Sequence, residues 1–231
     1  MTEHQTRATQ NNRENEARDA YFKLLENKGA DNETLMERNK FLHKLIQELA
    51  GKPADGLVYR EAVETVMDGT EKSEWAFKLS VAREYYPFWI KDIKVIAAMN
   101  AGQGFEIEPI KWQPVDYTLK VLWNMLDKEK FSTVEVWAMK AYTLALKQEG
   151  AEQSIIDTRI KLAKLLLVRL RTAPENNPKF YRIGVGATCP LFELRDTRRL
   201  FLAVVREFYY FWIGDPEAAK YINNEHPPNY F

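Results

Sequence analysis

The sequence predicts an all-α protein of about seven to nine helices, arranged as two related units that pack through their aromatic helices. Three observations support this fold class. Apolar residues recur at helical spacing, helix start and stop signals flank those stretches, and one aromatic segment occurs twice. A chain of 231 residues is long enough for two small units, each with a core of its own.

The repeated segment is rich in Trp, Tyr and Phe. It reads VAREYYPFWIKD at 81–92 and VVREFYYFWIGD at 204–215, with eight of the twelve positions identical at an offset of 123 (206 minus 83). Weaker matches precede it at offsets of 121 and 122, and they pair Tyr21 with Tyr142, Arg38 with Arg159 and Tyr59 with Tyr181. The offset grows in steps, as loop insertions in a duplicated unit would cause. We therefore predict an internal duplication.

The domain boundaries follow from this duplication. Residues 1–14 are polar and are predicted to form a disordered leader. Residues 15–112 are predicted to form helical unit 1, and residues 113–231 helical unit 2.

In unit 1, the first predicted helix covers about 14–28 and ends at Gly29, which suits the left-handed stop position. The second predicted helix carries an apolar stripe from Leu35 to Leu49. Thr34 and Glu37 have the spacing of a capping box at its start. The aromatic helix follows, and Pro87 within it predicts a bend or a restart.

In unit 2, Ser132 and Glu135 form a second capping-box pattern, which predicts a helix that ends before Gly150. The next predicted helix, 154–171, is apolar nearly all round, so we expect it to be central. The segment IGVGATCP at 183–190 contains two glycines and a proline, and we expect a loop there. A Gly-x-Gly loop that cradles phosphate is a second interpretation, although no full phosphate-binding motif follows.

The sharpest chemical feature is an Arg-Glu pair that occurs in both copies of the repeat. Arg83 and Glu84 in the first copy correspond to Arg206 and Glu207 in the second, and all four lie among aromatic residues. No opposite charge lies three or four residues away from the first pair on its own helix. A buried charge without a partner is costly, so the partners are expected on other helices. The alternative is a polar spot in an aromatic cleft that grips a ligand or a partner.

Positive charge is concentrated in the second half of the chain. Residues 159–206 contain eleven basic and three acidic side chains, although the whole chain has a formal net charge of zero. This bias is typical either of a solvated helix face or of a surface that binds a polyanion. The candidate polyanion-binding residues are Arg159, Lys161, Lys164, Arg169, Arg171, Arg195, Arg198 and Arg199.

The sequence shows no catalytic, metal or cofactor motif. The single cysteine, Cys189, excludes an intramolecular disulfide and any cysteine-based zinc cluster. No apolar run is long enough to span a bilayer, and no secretory signal is present at the N-terminus. We therefore expect a cytoplasmic protein without a catalytic site, a bound metal or a cofactor, and with no membrane partner. An enzyme remains a third hypothesis.

Scattered segments resemble the two-part helical immunity proteins that protect bacteria from a secreted nuclease toxin. These segments are RDAYF at 18–22, IAAMNAG at 96–102, and REF at 206–208 with Trp212. The resemblance implies an all-helical fold, no catalysis and a protein partner.

Two functions are therefore expected. The first is a non-catalytic protein that binds another protein through a surface between its units, with immunity to a toxin as the most specific form. The second is a helical subunit that binds RNA or DNA through the basic 159–206 region. Binding to phosphates weakens steeply with salt, so a salt titration would distinguish the two.

Overall fold

The structure, a computed structural model, describes residues 3–102 and 112–222, with side chains described from Arg13 onward. Within these residues it contains ten α-helices, three short 3₁₀ helices and no β-strand, which confirms the all-α prediction. The chain divides into two compact units, residues 1–111 and 112–231.

The described part of unit 1 contains five α-helices and one 3₁₀ helix. The α-helices are α1 (Glu3–Asn27), α2 (Asn32–Leu49), α3 (Gly56–Asp68), α4 (Trp75–Ile90) and α5 (Ile93–Asn100), and the 3₁₀ helix covers Lys72–Glu74. The aromatic helix α4 packs on α1, α2 and α3, and α5 follows it. The buried side chains of these helices form the core of the unit, with Tyr21, Leu45 and Trp89 fully inaccessible to solvent.

The other five described α-helices lie in unit 2. They are α6 (Leu119–Leu126), α7 (Thr133–Gln148), α8 (Gln153–Arg169), α9 (Pro178–Thr188) and α10 (Arg195–Trp212), with 3₁₀ helices at Cys189–Leu191 and Ala218–Tyr221. Helix α8 contacts α6, α7, α9 and α10. The central position predicted for the apolar segment 154–171 is therefore confirmed.

Several helix ends lie where the local signals predict them. Gly29 and Gly150 adopt positive φ angles of 85° and 80°, each two residues after the last residue of the helix that it ends. The capping box of Ser132 and Glu135 is present at the start of α7. The predicted cap at Thr34 is wrong, because Asp31 accepts the Thr34 backbone N–H at 2.8 Å and the helix starts two residues before Thr34.

The loop expected at 183–190 is a helix for most of its length. Helix α9 runs through Gly184 and Gly186 and ends at Thr188. A Cβ atom on Gly184 would lie 2.6 Å from Leu170 Cδ2 and 3.4 Å from Leu166 Cδ1. The glycine therefore serves close packing of α9 against the C-terminal end of α8, and not a turn.

Three further expectations differ from the structure. Helix α1 begins at Glu3, so it includes most of the stretch for which we expected a disordered leader. Helix α4 continues through Pro87 to Ile90, so the helix does not restart at the proline, and Lys91 follows it with φ 61°. Ten α-helices exceed the expected seven to nine, because α5 and α9 were not anticipated.

Candidate functional site

In unit 1, Glu84 on α4 lies in a buried polar cluster with residues from two other helices. The Tyr21 hydroxyl on α1 donates to Glu84 Oε2 at 2.5 Å. Arg38 Nε on α2 lies 3.2 Å from the Tyr21 oxygen and 3.4 Å from Glu84 Oε2. Tyr21 and Arg38 are buried, and the Glu84 side chain is 17% exposed. We call Tyr21, Arg38 and Glu84 the unit 1 cluster.

Unit 2 contains a cluster of the same chemistry. The Tyr142 hydroxyl on α7 donates to Glu207 Oε2 on α10 at 2.6 Å. Arg159 Nη1 on α8 donates to the same carboxylate oxygen and lies 3.4 Å from the Tyr142 oxygen. Tyr142, Arg159 and Glu207 form the unit 2 cluster, and each of them is the repeat match of a residue in the unit 1 cluster.

Burial and charge shift the pKa values of three side chains in the unit 1 cluster and of Tyr142 in the unit 2 cluster. Burial raises the pKa of Glu84, and the Arg38 guanidinium opposes this shift only in part. Burial also raises the pKa of Tyr21 and of Tyr142, and the adjacent glutamate adds to the rise in each case. Burial lowers the pKa of Arg38, but Glu84 and Tyr21 outweigh it, so the net shift is upward. Both tyrosines therefore stay protonated and continue to donate near neutral pH.

A second pair of contacts also matches between the units. The Tyr59 hydroxyl on α3 donates to the Ala82 carbonyl oxygen at 2.6 Å, and Tyr181 on α9 donates to the Val205 carbonyl oxygen at 2.6 Å. The Tyr59 ring lies 5.2 Å from that of Trp89, with 44° between the planes. Tyr181 lies 4.9 Å from Trp212, with 41° between the planes. The surroundings of α4 and α10 therefore agree in detail.

These clusters hold helices together within each unit. Each glutamate carboxylate accepts hydrogen bonds from a tyrosine hydroxyl and an arginine guanidinium that lie on two other helices. The partners of these glutamates are therefore on other helices, as predicted from the cost of an unpaired buried charge. Arg83 Nε donates to the Leu79 carbonyl oxygen at 3.1 Å on its own helix. Arg206 is half-buried on α10. The recurrence of Tyr, Arg and Glu at matched positions of the repeat is the sequence signal that could have predicted these clusters.

The eight candidate polyanion-binding residues do not all reach the surface. Arg159 belongs to the unit 2 cluster, and Arg169 is buried, with its guanidinium donating to the Val115 and Ala187 carbonyl oxygens. Arg171 contacts Glu129 at 3.1 Å and Glu135 at 2.8 Å. The exposed members are Lys161, Arg171, Arg195 and Arg199, while Lys164 and Arg198 are half-buried. A continuous basic face made by the whole set is therefore not present in unit 2.

Sequence reasoning missed an exposed apolar strip on α7. Val134, Trp137 and Leu144 are 67%, 66% and 58% exposed. Their spacing of three and seven residues places them on one side of the helix, away from the buried Tyr142. We call these three residues the α7 strip. The positions follow helical spacing in the sequence, but they were overlooked because α7 has a second apolar face that enters the core.

A groove adjoins this strip. It has a volume of about 460 Å³ and runs between the outer faces of α7 and α8, where Phe131, Val136, Leu144 and Ile160 supply apolar walls. Lys140, Lys147 and Lys164 also line it. We call it the α7–α8 groove. Leu144 belongs to both features, so the strip and the groove form one continuous surface.

In the described ranges, no group of three or more His, Cys, Asp or Glu residues is arranged to hold a metal ion. Cys189 is buried. No helix in those ranges is long and apolar enough to cross a membrane. Comparisons with protein-family models, curated proteins and solved structures found no match to this chain.

Proposed function

We propose that the protein is a non-catalytic helical binding protein that engages another protein, and that the α7 strip is part of the contact surface. The exposed Trp137 carries this proposal. Tryptophan is enriched among the residues that dominate binding energy at protein interfaces. An exposed apolar strip bordered by polar residues is also typical of an interaction site.

The most specific form of this proposal is an immunity-type inhibitor of a toxin. Its support is the resemblance of residues 18–22, 96–102 and 206–208 to such proteins. The buried clusters fit this role, because they fix the helices that display the surface. On the composition of the chain, we place this activity in the cytoplasm.

We also infer that the two units arose by duplication of one helical unit. The support is the agreement of the two Tyr-Arg-Glu clusters and of the two tyrosine-to-carbonyl bonds.

The residues of the α7 strip are not matched by similar residues in unit 1. Its three residues match Arg13, Glu16 and Lys23 of unit 1 at the offset of 121. The apolar surface is therefore a feature that unit 2 has and unit 1 lacks at these positions.

Photo-crosslinking tests the binding surface. A photoreactive phenylalanine analogue at position 137 should form an adduct with a partner protein in cells, and the same analogue at exposed Lys120 should not. The purified partner should then bind the wild-type chain, and Trp137→Ala should weaken binding by at least about 30-fold, which corresponds to a hot-spot contribution. If the partner is a nuclease toxin, the wild-type chain should inhibit it and the variant should not.

The same purified chain tests the nucleic-acid alternative. A chain that forms no protein adduct at position 137, yet binds RNA or DNA with an affinity that falls steeply with salt, would overturn the proposal. Arg195→Ala and Arg199→Ala are the informative variants there, because both side chains are exposed. If they do not weaken such binding, Arg195 and Arg199 are not part of its site.

A further inference from the structure

The α7–α8 groove combines apolar walls with a positively charged border. Its lining contains three lysines and no acidic residue. Lys140 and Lys147 lie on the α7 side, seven residues or two helical turns apart, so their Cα atoms are about 10.5 Å apart along the axis. Lys164 lies on the α8 side. The apolar walls between them include Val136 and Ile160.

Two of the three border lysines contact aromatic rings. Lys140 Nζ lies 5.3 Å from the centre of the Trp137 ring, and Lys164 Nζ lies 5.7 Å from that of Phe131. Such contacts favour the cation over the ring face without neutralising it. Across the described residues, neither lysine has a carboxylate within ion-pair distance. The positive charge therefore remains available to a partner.

A groove between two helices suits a third helix that lays an apolar face into it. Because lysines border both sides, acidic residues are needed on both flanks of that face. Carboxylates seven residues apart on the incoming helix match the spacing of Lys140 and Lys147, since both helices rise 1.5 Å per residue. A flat anionic surface would contact the lysines but would not fill the space between the apolar walls of the groove.

From this complementarity we propose that the α7–α8 groove binds an amphipathic helix of the partner protein whose apolar face is flanked on both sides by Asp or Glu. This inference rests on the proposed function and names the chemistry of the partner. Trp137 then packs against the edge of the bound helix, since Leu144 joins the α7 strip to the groove. The lysines select the charge of the helix, and the apolar walls provide the buried contact area.

A peptide display library tests this proposal on the full chain. Its members share one helical apolar face, and their flanking positions vary among Glu, Gln and Lys. Selection on the wild-type chain should enrich Glu at the flanks, and selected peptides should bind at least about tenfold more tightly than versions with Lys at those positions. The Lys140→Glu/Lys147→Glu variant should reverse this preference. Lys94→Glu/Lys120→Glu makes the same change in net charge on exposed residues outside the groove and should leave the preference intact.

Three results would overturn the inference. The first is enrichment of Lys, or of no charge, at the flanks. The second is an equal response of the groove variant and the control variant. The third is binding to vesicles of phosphatidylglycerol and phosphatidylcholine that is lost in the groove variant, which would assign the groove to a lipid surface. If position 137 still crosslinks a protein partner in any of these cases, the proposed function stands and only the chemistry of the partner is wrong.

Discussion

Arg38 shows what a single side chain does in the unit 1 cluster. It is 7% exposed and faces Glu84, so its loss removes the cation that contacts a largely buried carboxylate. We expect Arg38→Met to lower the free energy of unfolding by about 3–5 kcal/mol, because an uncompensated buried charge is costly. Glu84→Gln removes the charge but keeps an acceptor for Tyr21, so it should cost less, about 1–2 kcal/mol. Urea unfolding of both variants measures the two values.

The exposed pair of Arg18 and Asp19 provides the matched control. Its atoms are closer, at 2.9 Å, but its side chains are 37% and 70% exposed. Arg18→Met should therefore cost less than about 1 kcal/mol, since water screens the pair. If Arg38→Met is no more harmful than Arg18→Met, burial does not determine the role of the cluster. A double-mutant cycle on Arg38 and Glu84 would isolate their coupling.

The acid-pH dependence of stability should report the raised pKa of Glu84. The pKa of Glu84 in the folded chain lies above the ordinary value of 4.5. At a pH between these two pKa values, Glu84 is therefore more protonated in the folded chain than in the unfolded chain. The contribution of Glu84 to stability is then fully present below pH 4.5 and is lost as the pH rises through the folded pKa. Subtracting the stability of Glu84→Gln from that of the wild type at each pH should show this fall. A difference that rises with pH across the window would mean that the pKa is lowered instead.

At the scale of elements, α9 depends on a close approach to α8. Gly184→Val adds a branched side chain where even a Cβ would lie 2.6 Å from Leu170 Cδ2. We expect it to lower the free energy of unfolding by about 1–3 kcal/mol, as overpacking does. Adding Leu170→Ala should recover part of this loss, so that the two changes cost less together than their sum.

Gly69→Ala is the control for this prediction. Its Cβ would lie 3.9 Å from the Val66 carbonyl oxygen, an ordinary contact, and its φ is −89°. The change should leave stability within about 0.5 kcal/mol of the wild type. Thermal or urea unfolding with circular dichroism measures all of these variants. Equal costs for Gly184→Val and Gly69→Ala would show that the α8–α9 approach tolerates a larger side chain.

Elements with strong local signals could be predicted from the sequence, and those fixed by tertiary contacts could not. The Ser132 cap and the Gly150 stop act within one or two turns, so both ends of α7 were predicted. Gly184 suggested a loop, because it lies in a segment with a second glycine and a proline. The Leu170 side chain that requires a glycine there is fourteen positions away (184 minus 170), so local sequence does not reveal the contact. The partners of Glu84 and Glu207 were expected on other helices, but their identity needed the packing of three helices. The exposed side of α7 was overlooked because the sequence alone does not show which of two apolar faces is buried.

At the scale of the whole molecule, each unit has a buried core of its own. In unit 1, Tyr21, Leu45 and Trp89 have no solvent exposure, and in unit 2 the same holds for Tyr142 and Phe208. Each unit also contains its own Tyr-Arg-Glu cluster, with all three partners supplied by helices of that unit. Units of 111 and 120 residues (231 minus 111) are large enough to bury a stable core.

We therefore expect residues 1–111 and 112–231 to fold when they are produced separately. Each fragment should give a helical circular dichroism spectrum and a cooperative urea transition, with a slope about half that of the full chain, because the slope scales with the surface exposed on unfolding. Arg38→Met should destabilise the first fragment and Arg159→Met the second, since each removes the cation of a buried cluster. A fragment that shows no cooperative transition, while the full chain does, would mean that its core is incomplete without the other unit. If both fragments fold and only the second binds the partner protein, the binding surface belongs to unit 2 alone.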